Sequence, residues 1–186
     1  MKKRHVYFED DLSQSLRKGV DTLSNAVKTT MGPKGKLVLI QRGFSHPIVT
    51  KDGVTVAKAI ELEDELENMA VKVLKEAASR TADEAGDGTT TSTVLAQAIF
   101  NEGLKMKSAG YQVDLLKEGI AKATNIVQKD LLRQRRDIAS DNELRQVALI
   151  SANGESSIAN LIAEAYALSG TEGVITVDIA KGFKSS

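Results

Sequence analysis

The apolar residues of this chain fall at helical spacing over most of its length. From about Glu9 to Thr30, Leu12, Leu16, Val20, Leu23, Ala26 and Val27 recur at intervals of three and four, which predicts an amphipathic helix. Gly32-Pro33 stops it, because proline cannot continue a helix and disfavours helical backbone in the residue before it. Val38 and Ile40 then alternate with Leu37, Leu39 and Gln41. Gly43 to Pro47 reads as a turn and Ile48-Val49-Thr50 as a short return strand, giving a hairpin over Leu37–Thr50. Lys51-Asp52-Gly53 is the next predicted turn. A long helix follows from about Asp64 to Ala85, with Leu66, Met69, Val73, Leu74 and Ala77 on its apolar side. The helix after the threonine run has Val94, Leu95, Ala98 and Ile99 as its apolar stretch, reaches about Ser108 and ends near Gly110. A third spans about Val113 to Arg133 and carries Leu116, Ile120, Ala123 and Val127.

The pattern breaks at Arg133-Gln134-Arg135-Arg136-Asp137. This charged stretch is a candidate domain boundary, or a solvated helix end whose basic residues complement the dipole, or both. Beyond it, Asp141 is placed to cap a helix through Leu149, and Glu155 to Leu168 gives another. Gly173 introduces Val174-Ile175-Thr176-Val177 as a short strand, which alone cannot satisfy its backbone groups.

Composition narrows the class. The 186 residues are enough for one domain or one and a fraction. Lys+Arg and Asp+Glu both total 25, so nothing points to a bulk nucleic-acid or anionic-membrane binder. There is no cysteine, hence no disulfide frame and no thiolate metal site; a reducing compartment is permitted. His5 and His46 lie far apart and neither has ligand-like company. The charged N-terminus lacks the apolar core of a signal peptide, and no apolar run approaches membrane-spanning length, so a cytoplasmic location is expected. Aromatic residues are only 4%, so the core must be Leu, Ile, Val and Ala, which suits close-packed helices.

The run Gly86-Asp87-Gly88-Thr89-Thr90-Thr91-Ser92-Thr93 carries the candidate chemistry. A helix N-terminus presents unpaired N–H groups and partial positive charge, and so attracts anions. Threonine hydroxyls add donors to phosphate oxygens, and glycines let backbone approach closely. An aspartate among phosphates would repel them unless a divalent cation lay between, so Asp87 implies Mg²⁺. The reading is a Mg-nucleotide site. The alternative is an ordinary N-cap, although a cap needs one Asp, Ser or Thr and here there is a whole run.

Two other loops are candidates to join it. Thr30-Met31-Gly32-Pro33-Lys34-Gly35-Lys36 lacks the P-loop spacing; it is a nucleotide loop or a plain helix stop with lysines near the dipole. Thr50-Lys51-Asp52-Gly53 is a tight turn, or a site giving Lys51 to phosphate and Asp52 to a water or metal.

Together these runs closely resemble the N-terminal part of the GroEL-type (group I) chaperonins. The resemblance rests on Thr30–Gly35, Thr50–Val54, Ile60–Asp64, Glu67–Met69, Ala85–Thr91, Val94–Ile99, Ile150–Asn153 and Glu172–Val177, spread over nearly the whole chain. It implies a mainly α fold: the long-helix bundle of the chaperonin equatorial domain with a small β-hairpin, plus a partial α+β intermediate domain. Residues 1–134 would be the first equatorial segment and 135–186 the first intermediate segment. The family's activity would be ATP-driven folding of non-native polypeptides in homo-oligomeric sevenfold rings, with a lid-like co-chaperonin. By the same resemblance Thr30, Met31, Gly32 and Pro33 line the nucleotide, and Asp87 holds Mg²⁺. Gly88, Thr89, Thr90 and Thr91 wrap the phosphates, and Thr30, Lys51 and Thr90 lie near a K⁺ site. Asp52 helps position the hydrolytic water. The Leu37–Thr50 hairpin would pair with a neighbouring subunit, and Lys105 and Ala109 would sit at ring-to-ring contacts.

The departures bear on activity. Met31 stands where the family usually has leucine, Arg135-Arg136-Asp137 is unusual at the hinge, and the residues after Val177 do not follow the family's acidic run. The apical groove, the second catalytic aspartate and the C-terminal equatorial half fall outside these 186 residues. Were the chain to end at Ser186, exposed apolar stripes, aggregation and weak or absent ATP hydrolysis would be expected. The alternative function is then a chaperonin-like assembly or capping module without ATPase activity.

Overall fold

The computed structural model describes residues 9–43, 45–152, 154–170 and 173–177. The expectations for His5 and for the segment after Val177 lie outside them. The described chain forms seven helices and one two-stranded sheet. In order these are α1 (Glu9–Lys28), β1 (Val38–Arg42), β2 (Ser45–Thr50), α2 (Gly53–Ala59), α3 (Glu65–Ala85), α4 (Thr89–Ser108), α5 (Val113–Gln134), α6 (Asp141–Ser151) and α7 (Ser156–Ser169). Contacts divide the chain into two units, Met1–Lys122 and Ala123–Ser186.

In the first unit α1, α3 and α4 pack on one another with α2 against their ends. The core is Val20, Leu23 and Val27 of α1, Ile40 of β1, Val56 and Ala57 of α2, and Ala70, Val71 and Leu74 of α3. The predicted stripe of α1 is therefore the one that is buried. On α3 the burial rotates: Leu66, Ala70, Val71, Leu74 and Ala78 face inward, while Met69 and Val73 are exposed. Met69, Val73 and Ala77 instead line an apolar groove of about 420 Å³ with Leu16, Val20, Ala96 and Phe100; it contains no candidate site residue.

Helix starts follow side-chain chemistry. Asp64 Oδ1 accepts from the N–H groups of Leu66 (3.0 Å) and Glu67 (2.9 Å), which satisfies two of the first-turn donors of α3. The structure corrects two predicted details. Ser45-His46-Pro47 belongs to β2 rather than to a turn, because β1 and β2 pair antiparallel from Val38↔Thr50 to Arg42↔Ser45, with an irregularity between Ile40 and Arg42. Asp52-Gly53 does not simply turn; it starts the short helix α2, which the seven-residue length hid from the periodicity.

The second unit holds the end of α5 with α6 and α7. These last two pack through small residues, Ala148, Ala159 and Ala163, which lets their backbones approach. The cap of α6 is Ser140, not Asp141: Ser140 Oγ accepts from Glu143 N–H (3.3 Å), and Glu143 returns an acceptor to Ala139 N–H (2.8 Å). Asp141 sits in the first turn, where its charge suits the dipole. Residues 173–177 are not a strand; no partner strand is present among the described residues to satisfy their backbone. No residue of α5 is buried.

Candidate functional site

The site begins with the pairing of α1 and α4. Asn101 Nδ2 donates to Asp21 Oδ1 (2.9 Å), and Gln97 Nε2 donates to Asp21 Oδ1 (2.7 Å) and Asn25 Oδ1 (3.3 Å). Lys28 Nζ donates to Gln97 Oε1 (3.2 Å). Later positions on α4 meet earlier positions on α1, so the helices run antiparallel. The end of α1 therefore lies beside the start of α4, which brings Thr30 toward the threonine run. Burial would raise the Asp21 carboxyl pKa, but hydrogen bonds from Asn101 and Gln97 and the charges of Arg17 and Lys28 outweigh it. The carboxyl is held below the usual range, and Asp21 is ionised.

The N-terminus of α4 has no capping side chain. Its N-cap is Gly88, in the left-handed region at φ 86°, which glycine adopts without a Cβ penalty. Asp87 Oδ1 accepts from Gly88 N–H (2.6 Å), so the aspartate is not the cap and leaves the first-turn amides of α4 uncovered. Asp87 and Thr91 are exposed, Thr90 is half-buried and Thr89 is buried. Ser92 and Thr93 donate their hydroxyl protons back to Thr89 O (2.9 and 2.8 Å), so neither has that proton to give a phosphate oxygen. The plain N-cap reading of the run thus fails on geometry.

The Lys51-Asp52 loop reaches the same place. A β-carbon on Gly53 would lie 2.1 Å from Thr90 Oγ1 and 3.2 Å from Val27 Cγ1, so the first residue of α2 is wedged between α1 and α4. Asp52 caps α2: Oδ1 accepts from Val54 N–H (3.2 Å), and Oδ2 accepts from Thr55 N–H (2.8 Å) and Thr55 Oγ1 (2.6 Å). Burial would raise its carboxyl pKa, but the Thr55 and Val54 hydrogen bonds and the Lys58 charge win, and the group lies below its ordinary value. A carboxylate has about four lone-pair sites. Three contacts leave room for a water. Lys51 is exposed, and Asp52 N–H donates to Thr50 Oγ1 (2.9 Å).

Thr30 lies just past α1, its hydroxyl donating to Val27 O (2.8 Å). Met31, Gly32 and Pro33 are exposed, and the loop is closed by Gly35 N–H to Gly32 O (2.9 Å) and Lys36 N–H to Thr29 O (2.8 Å). Farther away, Lys105 pairs with Glu102 (2.5 Å) in the last turn of α4, and Ala109 is its C-cap.

This donor set fits a magnesium nucleotide. Open amides and threonine hydroxyls would serve phosphate oxygens, and one carboxylate, Asp87, stands beside them. Mg²⁺ is commonly held by one or two carboxylates plus substrate phosphates rather than by an all-protein cage. No group of three His, Asp or Glu side chains converges among the described residues.

Sequence reasoning missed Gln97. The apolar stretch Val94, Leu95, Ala98, Ile99 suggested the inner face of α4, yet Leu95 and Ile99 are about half exposed and the buried face is Thr89, Thr93 and Gln97. Their spacing of four was a visible signal, masked because a polar face is not read as core.

The comparisons agree with this architecture. The TCP-1/cpn60 chaperonin family model matches residues 23–182. The structure is similar to that of chaperonin gp146 from the bacteriophage EL 2 (Pseudomonas aeruginosa), solved in the presence of ATP-BeFx. In one crystal form the TM-score is 0.72 and the identity 32%, over 88% of this chain and 29% of that one. In another form the values are 0.73 and 31%, over 89% and 29%. It is also similar to a group III chaperonin in the open state, with TM-score 0.72 and 27% identity over 85% of this chain and 32% of that one. The chain spans less than a third of the length of these chaperonins. The helical fold with its small antiparallel sheet matches that of the chaperonin equatorial domain, and the chain belongs to the TCP-1/cpn60 chaperonin family.

Proposed function

We propose that this chain is the N-terminal part of an ATP-dependent, ring-forming chaperonin subunit of the GroEL type. It binds and hydrolyses Mg-ATP to drive folding of non-native polypeptides. The observation that carries this reading is the uncapped N-terminus of α4, with Asp87 beside it and the Asp52-Gly53 start of α2 packed against Thr90. In this reading Thr30 to Pro33 line the nucleotide, and Gly88 to Thr91 surround its phosphates. Asp87 holds Mg²⁺, which neutralises phosphate charge. Thr30 and Thr90 offer oxygens to K⁺; Lys51 contributes a carbonyl oxygen there, since its ammonium would repel a cation. Asp52, ionised and rigid as a cap, orients water for hydrolysis. Exclusion of competing nucleophiles and completion of the pocket belong to the rest of the subunit.

Residues up to Gln134 are assigned to the equatorial domain and 135–186 to the first intermediate segment, with the boundary where α5 ends and Ser140 starts α6. Contacts part the chain earlier, at Lys122, inside a helix that buries nothing. The group I assignment rests on the runs around Thr30, Asp52 and Asp87, and it carries with it sevenfold rings and a lid co-chaperonin.

The test is made on the complete subunit. Asp87→Ala is expected to abolish Mg-ADP binding in calorimetry while leaving far-UV circular dichroism unchanged; retained affinity would show that the metal assignment is wrong. Native mass spectrometry of the source protein is expected to give a seven-subunit ring or a pair of such rings. Rings of another order would overturn the group I assignment, and a 20.0 kDa species outside any ring would favour the capping-module reading.

A further inference from the structure

We infer that Gln97 is a positioning residue of the nucleotide site, acting through a polar clamp that fixes the register of α1 against α4. The inference rests on the Mg-nucleotide reading above. Gln97 is 7% exposed and sits along α4 about 9 Å from Thr91 and about 12 Å from Thr89, at 1.5 Å rise per residue. It touches no candidate ligand contact. It joins three side chains of α1 instead: it donates to Asp21 and Asn25 and accepts from Lys28, the last residue of that helix. Asn101, one turn on, donates to the same Asp21 oxygen, and Arg17 lies 3.7 Å from the other.

Chemistry fixes the orientation of this amide. Its oxygen must face the Lys28 ammonium and its nitrogen the Asp21 carboxylate, since the reverse would set acceptor against carboxylate and donor against ammonium. Apolar packing between helices tolerates sliding, because any aliphatic contact resembles the next. A buried amide between a carboxylate and an ammonium does not, because a slip of one turn, about 5.4 Å, would part Gln97 from Lys28 or from Asp21, and one side of the amide would lose its partner. A single buried polar residue that sets helix register is a well-attested device. Here the register matters to the site. Lys28 is followed directly by Thr29 and Thr30, and Gln97 is joined by rigid helix to Thr89, Thr90 and Thr91. The clamp therefore sets the spacing between the nucleotide loop and the phosphate-binding run.

The test uses the complete subunit and Mg-ADP as the probe, at a temperature where circular dichroism reports each variant folded. Gln97→Leu is expected to weaken Mg-ADP binding on the order of tenfold, as loss of an outer-shell positioning contact does. Gln97→Glu sets two carboxylates together and is expected to weaken it similarly. The double variant Asp21→Asn/Gln97→Glu moves the charge from α1 to α4. It restores complementary pairing, carboxylate to the Lys28 ammonium and to the amide introduced on α1, and is expected to return affinity to near the original. A merely structural role predicts a lower melting temperature with unchanged affinity in the folded protein and no rescue; that result overturns the inference. Should Gln97→Leu not fold, Lys28→Met, at an exposed position, severs one arm of the clamp. A severalfold loss supports the inference and an unchanged affinity overturns it. Asp87→Ala run alongside separates the two levels: loss there with no effect at Gln97 and Lys28 sinks the clamp alone, and retention there sinks the nucleotide reading itself.

Discussion

Gly53 and Thr90 are in contact so close that a β-carbon on the glycine would stand 2.1 Å from the threonine Oγ1. No other residue type fits there without moving Thr90, whose β-branched side chain has few alternative rotamers. The contact ties the Lys51-Asp52 loop to the threonine run through backbone, which a flexible side-chain bridge would not do as rigidly.

Gly53→Ala is expected to cost about 1–3 kcal/mol by overpacking and to weaken Mg-ADP binding, because the Thr90 hydroxyl is displaced. Gly53→Ala/Thr90→Ala should recover much of the stability, since the clashing atom is gone, but not the affinity. Thermal melts and calorimetry on the four members of this cycle check both; restored affinity in the double variant would mean that Thr90 does not contribute a ligand oxygen.

Asp52 gives a pH dependence with a defined sign. Its folded pKa lies below the ordinary value of 3.8, so its contribution is fully present above that value. It is lost as pH falls through the lower folded pKa. Asp52→Asn removes the charge and keeps one of the two acceptor oxygens of the cap. The stability gap between the two proteins is expected to be constant from pH 7 to pH 5 and to close below about pH 4. Asp52→Ala removes the cap as well and should cost about 1 kcal/mol more. A gap that widens on acidification would reverse that sign.

Ser24 is fully buried on α1, and its Oγ has no hydrogen-bond partner. Ser24→Ala removes a desolvated hydroxyl without opening a sizeable cavity and is expected to stabilise the protein by about 1 kcal/mol. Denaturant titration reads this as a higher midpoint with an unchanged slope.

Leu23, beside it, is also fully buried, in the centre of the helical core. Leu23→Ala should cost about 2–5 kcal/mol, with the spread set by how far α3 collapses into the gap. A loss below about 1 kcal/mol would mean that the core is looser than the packing indicates.

Much of this molecule is determined by the sequence alone. The three- and four-residue recurrence of Leu16, Val20, Leu23 and Val27 sets α1 and its inner face, because helical geometry leaves one way to bury that stripe. Asp64 starts α3, Gly86 ends it in the left-handed region, and the Gly-Asp-Gly-Thr run leads into the start of α4. Those signals are local: each depends on residues within two turns of one another.

Tertiary structure decided the rest. The spacing of Thr89, Thr93 and Gln97 marked a face of α4 but not its burial, because polar groups become an inner face only when partners from another helix satisfy them. Nor could sequence tell that Gly53 meets Thr90 or that the end of α1 adjoins the start of α4. These are contacts between residues far apart along the chain, fixed by antiparallel packing. The strand at Val174–Val177 failed for the complementary reason: β propensity was present, but a strand exists only through its neighbour, and none is present among the described residues. What the chain determines by itself is which faces seek burial. The fold alone settles which polar residues are carried inward with them, because their cost depends on partners that sequence proximity does not supply.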